Sequence, residues 1–125
     1  MGYILLVEDD TRLARTYKRV LRGSRLVWTA TAEEALTLIE TEPDIAVLLC
    51  DLNLQAGAMQ GKDMLEEVEY RWPELLQRTY VMSGHAEEDV AHLFSSTVRY
   101  IHKPVGIAEL RAAVNAFNPD PDPPA

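Results

Sequence analysis

Residues 45–54 read IAVLLCDLNL. Five apolar residues and Cys50 run directly into Asp51, and leucines flank Asn53 on both sides. A short apolar run bounded by turn signals suits a strand buried on both faces, as at the centre of a parallel sheet. Pro43-Asp44 precedes the run, and a loop containing Gly57 and Gly61 follows it. An ionisable Asp51 at the end of such a strand needs a partner for its charge, and that partner has to come from elsewhere in the chain.

Four further runs have the same character: Tyr3–Val7, Leu26–Thr29, Thr79–Met82 and Val98–His102. Between them apolar residues recur at helical spacing. The first helix carries Leu13, Tyr17, Val20 and Leu21 and stops at Gly23; the second carries Ala32, Ala35, Leu36 and Ile39. The third carries Met64, Leu65, Val68 and Trp72 and is closed by Pro73. A weaker helical stretch covers Glu87–Phe94, and Leu110, Ala113, Val114 and Phe117 form the last stripe. Strict alternation of strand and helix, five times over, predicts an α/β fold: one doubly wound, five-stranded parallel sheet with helices on both faces. The domain is expected over residues 1–117, and NPDPDPPA (118–125), acidic and proline-rich, is expected to be a disordered tail.

At 125 residues, the chain fits one domain that buries enough surface to need no disulfide or structural metal. Its single cysteine, Cys50, closes no bridge and reads as a small core residue, which points to a reducing, cytoplasmic setting. A net charge of −8 argues against non-specific nucleic-acid binding. No apolar run approaches the ~20 residues of a membrane span. The N-terminal MGYILLVEDD lacks a basic segment and a cleavage site, and bulky Tyr3 after Gly2 discounts lipidation. A soluble protein of the cytoplasm is expected.

In open α/β sheets the site lies at the carboxyl ends of the strands. Here those ends carry Glu8, Asp9 and Asp10; Asp51 and Asn53; Ser83, Gly84 and His85; and Lys103-Pro104. Taken singly, each has a plain structural role. Asp10 before Thr11 reads as a helix N-cap, Asp51 could open a turn, Ser83 could lead into Gly84, and Lys103 could be a solvated strand end. His85, His92 and His102 lack metal-triad spacing and read as surface or loop residues. Together the carboxylates are harder to explain so plainly. Clustered anions at pH 7 repel unless a cation joins them. Lys103 supplies one charge, and Mg²⁺ (or Mn²⁺) would supply two more through oxygen ligands.

With ILLVEDD, LLCDLNL, VMSGH and YIHKP in this order, the chain resembles the receiver domain of two-component response regulators. The resemblance implies a flavodoxin-like (βα)5 fold with strand order 2-1-3-4-5. It further implies Asp51 as phosphoacceptor, Glu8 and Asp9 as the acidic pair that holds Mg²⁺ with Asp51, and the Asn53 backbone carbonyl as a further ligand. Ser83 falls on the hydroxyl residue that bonds the phosphoryl group, Lys103 on its ion-pair partner, and Pro104 on the proline that often follows a cis peptide. Tyr100 falls on the aromatic switch position, while Asn53 and His85 occupy positions that tune phosphoryl lifetime. The implied donor is a sensor histidine kinase or a histidine phosphotransfer protein. The implied activity is Mg²⁺-dependent self-phosphorylation from small donors, followed by slow hydrolysis. Output would pass to a protein target through the face made by the fourth helix, fifth strand and fifth helix, and a homodimer is a further implied partner. No output domain follows the last helix, so the chain is expected either to act by protein contacts or to belong to a larger protein such as a hybrid kinase. Two features depart from the family: Gln55 stands where a proline is usual, and the DLNLQAGAMQG loop is longer.

Other classes fit less well. A haloacid-dehalogenase-type phosphatase wants a second Asp where Asn53 stands, together with a cap over the site. A flavin carrier would cradle a phosphate in the first loop, where Glu8, Asp9 and Asp10 repel it. A receiver-like interaction module that is never phosphorylated does not need the full set of Glu8, Asp9, Asp51, Ser83 and Lys103.

Overall fold

The computed structural model describes residues 2–54 and 57–122. Strands β1 (Tyr3–Val7), β2 (Leu26–Thr29), β3 (Ile45–Asp51), β4 (Thr79–Ser83) and β5 (Arg99–His102) form one parallel sheet in the order β2-β1-β3-β4-β5. The main helices are α1 (Thr11–Val20), α2 (Ala32–Thr41), α3 (Gly61–Arg71), α4 (Glu87–Val90) and α5 (Ile107–Asn115).

Side chains along a strand point alternately to opposite faces, so an all-apolar strand feeds two cores. On β1, Tyr3, Leu5 and Val7 pack with Ala32, Ala35 and Ile39 of α2 and Met64, Leu65 and Val68 of α3. Ile4 and Leu6 pack on the other face with Ala14 and Tyr17 of α1 and Leu110, Ala113 and Val114 of α5. The two central strands, β1 and β3, are buried along their whole length. Each fully buried leucine or isoleucine there contributes about 1.5–3 kcal/mol.

The connection from β1 leads outward to β2, and the next crosses back over β1 to β3. The carboxyl ends of β1 and β3 therefore flank the crevice where the chain reverses direction. In register, Val7 lies opposite Cys50, Asp51 opposite Met82, and Ser83 opposite His102. This brings Glu8, Asp51, Ser83 and Lys103 to one edge.

Some local expectations change. Pro73 does more than close α3: it opens a separate helical turn, Pro73–Leu76, a position where its missing N–H is harmless. The fourth helical stretch is split, with α4 ending at Val90, a 3₁₀ turn covering Ala91–Leu93, and Phe94 extended. Three acids in the first turn of α4 suit a helix start, whereas the Phe94 ring stacks on Tyr100 with centroids 6.4 Å apart.

Within the acidic, proline-rich stretch 118–125, the backbone of residues 120–122 pairs with the body of the domain. Asp120 N–H donates to the Gly2 carbonyl at 2.7 Å, Arg25 N–H to the Asp120 carbonyl at 2.8 Å, and Asp122 N–H to the Gly23 carbonyl at 2.9 Å. Ser24 and Pro121 make an antiparallel bridge. Backbone pairing of this kind is indifferent to side-chain hydrophobicity, which is why composition does not reveal it. Residues 123–125 of that tail, and Gln55 in the loop, lie outside the described residues.

Candidate functional site

Three successive acids at the end of β1 take three different roles. Asp10 caps α1, its carboxylate accepting from the Arg12 N–H at 2.9 Å and the Leu13 N–H at 3.3 Å. Glu8 turns inward and is fully buried. Asp9, half-buried, places a carboxylate oxygen with those of Glu8 and Asp51, all within 4.8 Å of one another.

Lys103 ties the two buried acids together. Its Nζ lies 3.1 Å from Glu8 Oε1 and 3.3 Å from Asp51 Oδ2. The Lys103 backbone is held in turn by its N–H, which donates to the Ser83 carbonyl at 2.7 Å, and the following Lys103–Pro104 peptide is cis. On the other side of Asp51, Oδ1 accepts the Asn53 N–H at 3.1 Å. Glu8, Asp9, Asp10, Leu13, Asp51, Asn53 and Lys103 line an open cleft of about 360 Å³.

The electrostatics follow from burial and proximity. Burial, followed by the charge of Asp51 and a hydrogen bond with it, raises the Glu8 carboxyl to about 7, against a smaller opposing pull from Lys103. Burial draws the Lys103 ammonium down, but the carboxylates of Asp51 and Glu8 outweigh it and hold it above the ordinary lysine value. Burial also raises the Cys50 thiol, which keeps it a core residue beside the site. Three carboxylates against one ammonium leave two uncompensated negative charges when all are ionised. A set of hard oxygen donors with that deficit fits a divalent cation of the Mg²⁺ or Mn²⁺ type.

Ser83, Tyr100, His85 and Pro104 stand beside this cleft but do not line it. Ser83 is buried, and its Oγ accepts the His85 N–H at 3.1 Å. The Tyr100 hydroxyl is aimed at the carbonyls of His85 and Ser83. His85, His92 and His102 are all exposed, as expected of surface histidines.

The family is now evident from the sequence match as well as the geometry. Residues 4–115 match the family model described as the response regulator receiver domain. The chain belongs to that family. It is similar to the hydrogenase transcriptional regulatory protein HoxA of Cupriavidus necator, 32% identical over 105 residues, which is 81% of this chain and 21% of that protein. It is similar as well to the alginate biosynthesis transcriptional regulatory protein AlgB of Pseudomonas aeruginosa, 28% identical over 90% of this chain and 25% of that protein. This receiver thus spans a fifth to a quarter of the length of those curated relatives. A CheY-like receiver domain structure from Methanospirillum hungatei superposes with a TM-score of 0.75 at 27% identity, covering 93% of this chain and 92% of that one. Strand order and layering agree with that fold, the phosphoacceptor module of two-component signalling. Among the described residues, no helix is long and apolar enough to cross a membrane.

Two neighbours of the site escaped sequence reading. The Trp28 indole N–H donates to the Glu8 carbonyl at 2.6 Å. The available signal was weak: a tryptophan near a strand end, whose N–H needs an acceptor when covered. Glu33, on α2, accepts from the loop after β3, and nothing in the pattern of α2 marks it.

Proposed function

We propose that Asp51 accepts a phosphoryl group from a phosphohistidine on a sensor kinase or phosphotransfer protein. The observation that carries this reading is Lys103 bridging buried Glu8 and Asp51 at 3.1 and 3.3 Å, with Asp9 beside them on an open cleft. Glu8, Asp9, Asp51 and the Asn53 carbonyl would hold Mg²⁺ or Mn²⁺. When bound, such an ion neutralises phosphoryl oxygens and aligns them with the acceptor.

The chain's own residues do the rest. An Asp51 carboxylate oxygen forms a bond to phosphorus as the phosphorus–nitrogen bond of the donor breaks, and the imidazole leaves with the bonding pair. The Lys103 ammonium stands where the transferring oxygens gather charge, a favourable electrostatic arrangement in a partly buried site. The Ser83 hydroxyl, one strand away, donates to the bound phosphoryl group, and the Asp51 phosphate adds charge of about −2 and new acceptors. Drawing Ser83 toward Asp51 disturbs the turn at His85 and the carbonyls that anchor Tyr100. This transmits the change to the α4-β5-α5 face, where a protein target or a second copy would bind. His85 and Asn53, both exposed, would govern water access and so the rate of hydrolysis.

The test is incubation with Mg²⁺ and acetyl phosphate, followed by intact-mass measurement of wild type and Asp51→Asn. Wild type alone should gain one acid-stable, base-labile phosphoryl group. Absence of labelling both from acetyl phosphate and from a phosphohistidine donor would rule the reading out. In Asp9→Ala, the Mg²⁺-induced fluorescence or NMR changes should be lost, and unchanged affinity would remove Asp9 from the ligand set.

A further inference from the structure

The loop between β3 and α3, longer than is usual for the family, is anchored at a place its sequence does not suggest. Both Ala58 N–H and Met59 N–H donate to Oε2 of Glu33, at 2.9 and 3.1 Å, across 25 and 26 residues of sequence. Glu33 lies in the first turn of α2, where unpaired amides and the helix dipole favour a carboxylate. Its own N–H, followed by the amide of Ala58 and that of Met59, holds its carboxyl below the usual range. Gly57 makes the close approach feasible. It sits at φ +81°, and a Cβ there would meet Glu33 Oε1 at 2.7 Å and Thr31 Cβ at 3.3 Å.

The anchored residues, Ala58 and Met59, lie between Asn53 and the start of α3 at Gly61. Leu54 is fully buried and Met59 packs against the same core cluster, so both flanks of the loop are tied to the body. None of residues 57–60 lines the phosphoacceptor cleft, whereas Asn53 does. Residues 57–59 are thus drawn toward α2, clear of the cleft, and Asn53 is left at the cleft edge.

We infer that Glu33 is a positioning residue for the phosphoacceptor site: by holding the 57–59 loop on α2, it keeps the Asn53 edge of the cleft open and in place for the cation. The inference rests on the proposed cation site at Glu8, Asp9, Asp51 and Asn53. Outer residues that support metal ligands typically change affinity about 10–100-fold when removed, and Glu33, acting through a loop, belongs at the low end.

The experiment is a Mg²⁺ titration followed by Trp28 fluorescence and by calorimetry, with thermal melts of each variant in parallel. Glu33→Ala and Gly57→Ala break the anchor from opposite sides, and each should raise the half-saturating Mg²⁺ about tenfold. Glu33→Gln, which keeps an acceptor oxygen, should restore most of the wild-type affinity. Glu34→Ala serves as control. The Glu34 carboxylate accepts from the Thr31 hydroxyl at its own helix end, so losing it should lower the melting temperature while leaving the Mg²⁺ midpoint unchanged. Lower melting temperatures in Glu33→Ala and Gly57→Ala with wild-type Mg²⁺ midpoints would overturn the inference and leave Glu33 a simple staple. No Mg²⁺ response in wild type would instead overturn the cation site itself, and the inference with it.

Discussion

Replacing Glu8 by glutamine in the metal-free protein should make it more stable at pH 8 and leave it nearly unchanged at pH 4.5. Glu8 is fully buried, and burial, together with the neighbouring Asp51, raises its carboxyl from 4.5 to about 7. At about 1.4 kcal/mol for each factor of ten, that elevation corresponds to roughly 3 kcal/mol. The sign follows from proton linkage. Between the two values the folded protein keeps a proton that the unfolded chain has lost, so stability falls as pH rises from about 4.5 to about 7, then levels off. Glutamine occupies the same volume without a charge to desolvate, so that fall disappears. The variant does lose one partner of Lys103, which still has Asp51 at 3.3 Å.

The assay is urea unfolding of both proteins in EDTA from pH 4.5 to 8.5. The difference in stability between them, in which titrating groups away from Glu8 cancel, should move by about 3 kcal/mol in favour of the variant. That corresponds to a midpoint shift of roughly 1–2 M urea for a domain of this size. In excess Mg²⁺ the order should reverse, because wild type gains binding energy that the variant has lost. A stability difference that stays constant across the pH range would refute the assignment of a raised, buried Glu8.

Lys103→Met leaves Glu8 and Asp51 facing each other without a cation, and acetyl phosphate labelling should fall about 100-fold or more; at pH 8 in EDTA the variant should also lose about 3 kcal/mol of stability in urea unfolding. Gly61→Ala puts a Cβ 2.6 Å from the Asp51 carbonyl oxygen and 2.8 Å from that of Leu52. Both obstacles are backbone, so a loss of about 2–3 kcal/mol is expected, seen as a drop of roughly 5–10 °C in the thermal midpoint. Trp28→Phe removes the indole donor to the Glu8 carbonyl. It should lower stability by about 1 kcal/mol and abolish the Mg²⁺-dependent change in emission. A surviving change would mean that Trp72 reports it.

Several site features were open to sequence reading because they are local. Asp51 stands out because an ionisable group ends an apolar run, and Asp10 because it precedes a helical pattern; in the structure Asp10 is indeed the cap. Glu8 and Asp9 were less separable, since adjacent acids look alike in a string. The backbone direction after Val7 turns Glu8 into the protein and leaves Asp9 half-covered at the cleft. The split of the helical stretch 87–94 and the pairing of residues 118–122 were not legible, because both depend on contacts outside the segment itself: Tyr100 of β5 for Phe94, and Gly2, Gly23 and Arg25, far off in sequence, for the tail.

The alternation of apolar strands with amphipathic helices determined the layers of this protein, and the continuous hydrophobicity of β1 and β3 determined which strands lie at the centre. Both are short-range patterns, set by the two-residue repeat of a strand and the 3.6-residue repeat of a helix. Register and the distances between elements, which only the tertiary structure decides, bring Lys103 within 3.1 Å of a glutamate 95 residues away. They also bury that glutamate enough to raise its carboxyl and carry Glu33 onto the loop beyond Asp51. Burial and through-space charge depend on distances between elements, and no local period of the sequence encodes those distances.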